Sequence, residues 1–229
     1  LSRACRRSSA RRPRGGSAMK RDTAVAAGLA AMLLAPQVQS DSCPRPNQVV
    51  VDTSAIFSHI PAFFGRAPGQ TFTATDTLIR SLTVWRFPLN GPNASPMKLW
   101  ITETDSTGMP LTLKVVLDGP VMVVPADDGE TPIEVRYDFP EPVSLPGPGR
   151  YAFFVQQYLC DGIFDLFTAH DEYPGGNLWH TFRGIPECEL RTHPQNWPKD
   201  DLVFTIEFCG DLSTPASRNS WGQIKLRYR

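Results

Sequence analysis

Residues 78–87 read LIRSLTVWRF, and this decapeptide decides the fold. Leu78, Leu82 and Val84 fall on one register of a two-residue period, while Ser81, Thr83, Trp85 and Phe87 fall on the other. Side chains that alternate in this way stand on opposite faces of a strand, so both faces have something to cover. The next apolar run, Met97 to Thr102, repeats the pattern: Met97, Leu99 and Ile101 oppose Lys98, Trp100 and Thr102. Both tryptophans thus stand on the more polar face of their strands.

Working outward, short runs of this kind are cut by Pro, Gly, Asn and Asp along the rest of the chain. They predict strands at 49–52, 70–74, 78–87, 98–103, 111–117, 121–124, 133–139, 150–158, 164–167, 178–182 and 202–208. The connections have turn chemistry, as in Asn90-Gly91-Pro92-Asn93 and Asp105-Ser106-Thr107-Gly108. No stretch sustains a 3.6-residue period, and the 22 prolines act against helices. The reading is all-β: a single antiparallel β-sandwich, jelly-roll-like and disulfide-bonded, over residues 41–211.

The ends of the chain differ from this body. Residues 1–18 are Arg-rich without apolar periodicity and are read as disordered sequence upstream of an initiator at Met19. Lys20 and Arg21, the apolar run Ala24 to Leu34 and the pattern Val38-Gln39-Ser40 then make residues 19–40 a signal peptide. The apolar run is shorter than the ~20 residues of a membrane span. The double arginines lack the continuity of a twin-arginine signal, and Cys43 lacks a lipidation context. Residues 212–229 read as a linker and a disordered basic tail.

Without residues 1–40 the chain keeps 15 Lys+Arg against 22 Asp+Glu, a net charge of −7. That balance repels phosphate backbones and argues against nucleic-acid binding. Past residue 40 the cysteines are Cys43, Cys160, Cys188 and Cys209, an even set that predicts two disulfides in an exported protein. Four cysteines permit three pairings, of which the expectation is Cys43 with Cys209 and Cys160 with Cys188. No Cys-x-x-Cys pair supports a zinc site.

The order of GQTFTATDTLIRSLTVW (69–85), MKLWITETDSTGMP (97–110), VRYDFPEPVSLPGPGRYAFFV (135–155), YPGG (173–176), LWHTFRG (178–184) and DLVFTIEF (201–208) resembles secreted bacterial jelly-roll accessory domains that look like carbohydrate-binding modules. The resemblance implies a secreted or surface location and a non-catalytic role, with no catalytic residue to transfer.

Candidate sites centre on HDEYPGGNLWH, residues 170–180. Tyr173-Pro174-Gly175-Gly176 predicts a tight turn between two strands. For a polysaccharide or another cell-surface component, Trp85, Trp100, Tyr173 and Trp179 would offer ring faces, and Asp171, Glu172, Asn177 or Gln157 hydrogen bonds. Asp161, Asp165 and Asp171 are the candidate ligands for a structural Ca²⁺, with no Ca²⁺-loop spacing. His170 and His180 lack a third partner for a transition metal. Asp165 and Glu172 could be paired as glycosidase carboxylates, but no nucleophile elbow or phosphate loop is present, and the chain is read as a non-enzyme without a required cofactor. The alternative function is a structural or adhesion component that binds other proteins and has no small-molecule ligand.

Overall fold

A computed structural model describes residues 46–63, 65–89, 95–124, 126–158, 162–181, 190 and 194–210. The strands are β1 (Pro46–Val51), β2 (Ile56–Ala62), β3 (Pro68–Ala74), β4 (Leu78–Phe87), β5 (Ser95–Thr104), β6 (Pro110–Val124), β7 (Ile133–Ser144), β8 (Gly149–Gln157), β9 (Phe164–His170), β10 (Leu178–Thr181), β11 (Pro194–Trp197), β12 (Asp200–Leu202) and β13 (Phe204–Cys209). One 3-10 turn, Thr53–Ala55, precedes β2 and is capped by Asp52, whose carboxylate accepts from the Ser54 N–H at 2.7 Å. The expected leader and tail lie outside the described residues, as do Cys43, Cys160, Asp161 and Cys188.

Two antiparallel sheets make a sandwich. The seven-stranded sheet runs β1-β13-β4-β9-β12, with β2 also on β9 and β7 also on β4. The six-stranded sheet runs β11-β10-β3-β8-β5-β6.

The decapeptide that opened the reading is β4, with the predicted bounds. Leu82 lies opposite Ile206 and Tyr137, and Val84 opposite Phe204 and Val135; all six are buried in the main core. On the other face Ser81 lies opposite Glu207 and Asp138. Ser81 donates to Glu207 at 2.8 Å, and Arg136 donates to the same carboxylate at 2.7 Å. A register shift between Ile79 and Ser81 restores Ile79 to the core side. From the six-stranded sheet, Phe72, Met97, Leu99, Ile101, Phe153, Val155 and Leu178 close the same core.

Three expectations are corrected. Residues 111–117 and 121–124 form one 15-residue strand, β6, because β5 pairs with it on both sides of Gly119-Pro120 and the break is absorbed as register shifts. The strands β2 and β11 were not anticipated, and residues 202–208 divide into β12 and β13. The tight turn expected at 173–176 is present, and it joins β9 of one sheet to β10 of the other.

Candidate functional site

The segment 170–180 is held by its neighbours mainly through its backbone and the Tyr173 hydroxyl. Asp201, fully buried on β12, accepts from the backbone N–H groups of Glu172 and Tyr173 at 2.8 Å each and from the Gln70 amide at 2.6 Å. Gln70 in turn accepts from the Leu202 N–H at 2.9 Å. The Tyr173 hydroxyl accepts from the Thr73 N–H at 2.9 Å, and its ring meets Phe204 edge-on at 5.6 Å. Thr73 donates to the Gly175 carbonyl at 3.1 Å, while Asn177 N–H donates to the Thr71 hydroxyl at 2.8 Å. The turn closes through Gly176 N–H to the Tyr173 carbonyl at 3.3 Å. A Cβ on Gly176 would strike the Thr71 carbonyl, so the turn seats against β3 only because that residue is glycine. Tyr173 through its hydroxyl and Asn177 through its backbone are therefore engaged in holding the crossover, and Asp171 and Glu172 turn outward as exposed side chains.

The proposed aromatic surface separates. Trp85 shares the face of Ser81 and Thr83, half-buried on the outside of the seven-stranded sheet, opposite Glu134. Trp100 and Trp179 stand on the outside of the six-stranded sheet, so the whole sandwich lies between them and Trp85. Those two do fall on one row across that sheet. Trp179 pairs with Gly69, Gly69 with Phe154, and Phe154 with Trp100, which pairs in turn with Asp118. The Phe154 ring occupies the place where a Gly69 side chain would be. With Ala67, Ala152 and Leu190 these rings form a second apolar cluster, and each tryptophan is 8% exposed. Among the described residues neither indole N–H has a hydrogen-bond partner, nor does the buried Thr102 hydroxyl. Lys98 lies 3.9 Å over the Trp100 ring and pairs with Asp118.

The carboxylates and imidazoles do not converge on a metal. Asp165 lies near the start of β9 (Phe164–His170) and Asp171 just past its end, six residues and roughly 20 Å of strand apart. Asp165 instead faces His59 Nδ1 at 2.7 Å, with the His59 ring stacked on Phe87 at 4.2 Å. Among the described residues no three metal-binding side chains cluster. His170 and His180 belong to different sheets. His180 meets Gln195 at 2.9 Å, and burial, followed by the Arg66 charge, pulls its pKa down to about 4, so its ring is neutral near pH 7. The His59–Asp165 pair was not legible because β2 itself was not.

A different surface is left open by the fold. β6 ends the six-stranded sheet with β5 as its one neighbour in the sheet order. Its face directed away from the core exposes Leu113 at 79% and Val123 at 67%, with Val115 and Val121 also exposed. Composition supplied those residues, but only the sheet order shows that nothing described covers them.

No family model matches this chain, and no curated protein matches it. Among solved structures it resembles one titled for the Gt strain of infectious bursal disease virus, at 14% identity and a TM-score of 0.32 over 84% of this chain and 42% of that one. It also resembles the Gx strain structure, at 10% identity and a TM-score of 0.28 over 75% of this chain and 38% of that one. The chain spans less than half the length of both.

Proposed function

We propose that this chain is an exported, non-catalytic β-sandwich module that works by associating with other proteins through the open margin of its six-stranded sheet. The observation that supports this is the β6 stripe, where Leu113, Val115, Val121 and Val123 remain exposed on a 15-residue terminal strand. Exposed apolar side chains in a row mark association surfaces, whereas the same residues scattered singly need no explanation. Export is supported by Cys209, a fully buried residue that we read as one half of a disulfide. We assign Cys43 as its partner: Pro46 lies directly opposite Cys209 in the β1–β13 ladder, and Cys43 is three residues before it. Pairing of the first described strand with the last also supports the jelly-roll-like arrangement.

Carbohydrate binding is the second reading, and the unpaired indole N–H groups of Trp100 and Trp179 favour it. At this burial the ring faces are not open to stack on a sugar, so a ligand would have to meet the donors edge-on.

One experiment separates the readings. Beads coated with the protein are tested for retention on immobilised fibrinogen, collagen and mucin and on cellulose, chitin and xylan. Retention on a protein that is lost in Leu113→Lys/Val123→Lys supports the first reading. Retention on a polysaccharide that is lost in Trp100→Phe/Trp179→Phe moves the site to the second, and no retention on any surface removes both.

A further inference from the structure

At the end of the six-stranded sheet opposite β6 lies β11, a four-residue strand with β10 as its neighbour in the sheet order. Gln195, Asn196 and Trp197 are exposed, so little apolar burial secures it. It is held by the β10 ladder, from Leu178–Trp197 to Thr181–Pro194, and by one side chain, His180. The His180 ring is 2% exposed. It meets Gln195 at 2.9 Å and stands at a steep angle to the Trp197 ring, with centroids 5.0 Å apart. Both contacts are with β11. Past β11 the chain is anchored again, since the Lys199 carbonyl accepts from the Asp171 N–H at 3.1 Å and β12 pairs with β9.

A buried imidazole thus sits between a lightly held margin and the interior of the sheet. On the interior side β3 offers Pro68, the register partner of His180, and the uncharged Gln70. Arg66, two residues before β3, sets a positive charge against the ring. The acids of β12 are engaged elsewhere: Asp201 by Gln70 and two backbone N–H groups, Asp200 by His170 at 3.7 Å.

From this placement we propose that β11 is an acid-released flap: protonation of His180 parts it from β10 and opens that edge of the sheet. A charged ring needs water and distance from Arg66. β3 is interior to the sheet, so the route to water runs through β11, and the anchored turn at Lys199 is the pivot. The closed ring titrates at about 4 against an ordinary 6.5. The open form therefore binds the proton up to roughly 300 times more tightly, and opening gains up to that factor as pH falls across this interval. Above pH 6.5 the ring is neutral in both forms and the flap stays shut; below about 4 the gain is complete. Opening leaves a row of unpaired β10 backbone groups, a second margin distinct from β6.

The test is amide hydrogen exchange over residues 194–197 from about pH 7 to about pH 4, with rates expressed as protection so that the intrinsic effect of pH cancels. In wild type, protection is expected to fall at least about 30-fold over this range, while β8 stays protected. His180→Gln keeps a hydrogen-bonding side chain with nothing to titrate, and is expected to lose the pH dependence. The His180 ring of wild type, followed by NMR, is expected to titrate near 4. The flap is overturned by an absence of protection at neutral pH, by protection that stays constant into acid, by an equal fall in His180→Gln, or by a ring that titrates at its ordinary value. The ring titration needs no variant, so it decides the matter even if His180→Gln does not fold.

Discussion

The Gln70 amide donates to the Asp201 carboxylate at 2.6 Å, and this hydrogen bond joins β3 of one sheet to β12 of the other. Asp201 also receives the N–H groups of Glu172 and Tyr173, so one side chain fixes the spacing of the sheets and the path of the crossover. Replacing it with alanine strands three buried donors. Asp201→Ala is expected to lower unfolding free energy by about 2–4 kcal/mol in urea titration.

The same carboxyl has a pH signature. Burial is the leading influence and raises its pKa above the ordinary carboxylate value of 3.8. The stability linked to that shift is full below the ordinary value and is lost as pH rises through the folded value. The advantage of wild type over Asp201→Asn should therefore narrow from mildly acidic toward neutral pH in thermal melts.

Glu207 has the opposite sign. The Arg136 hydrogen bond, ahead of a smaller opposing effect of burial, lowers its pKa below 4.5. Its contribution is present above the ordinary carboxylate range and disappears as pH falls through the folded value. Glu207→Gln should cost about 0.5–1 kcal/mol at pH 7, given the partial exposure of both partners, and close to nothing in acid.

Arg86 and Asp127 form a buried pair at 2.7 Å, each side chain 1% exposed. Arg86→Met removes this ion pair from a buried carboxylate and should cost about 3–5 kcal/mol. The double variant Arg86→Met/Asp127→Leu should regain most of that, measured as a double-mutant cycle.

Much of this architecture was written in local pattern. In β4 the alternation assigns Ser81 to Trp85 to their faces, but the register shift after Ile79 puts Ile79 rather than Leu78 in the core, a break that the local pattern does not carry. In β6 the Gly119-Pro120 step reads as a break, because pairing with β5 is a long-range property. In β2, Pro61 interrupts the run Ile56–Ala62, and its strand character comes from β9. The aromatic surface failed for a related reason. Sequence gives the face of Trp85 or Trp100 within its own strand, whereas the assignment of the strands to different sheets belongs to topology. The Gln70–Asp201 bridge, 131 residues apart in the chain, leaves no local trace at all.

In β8 every residue from Tyr151 to Gln157 is buried, whichever way its side chain turns, because the sandwich core lies beneath it and the Trp100–Phe154–Trp179 cluster above. Its amides, hydrogen-bonded to β3 and β5 on the two sides, have no route to solvent deuterium short of parting the molecule. Isotope uptake along this strand would thus report the free energy of global opening, while the frayed margins exchanged long before it.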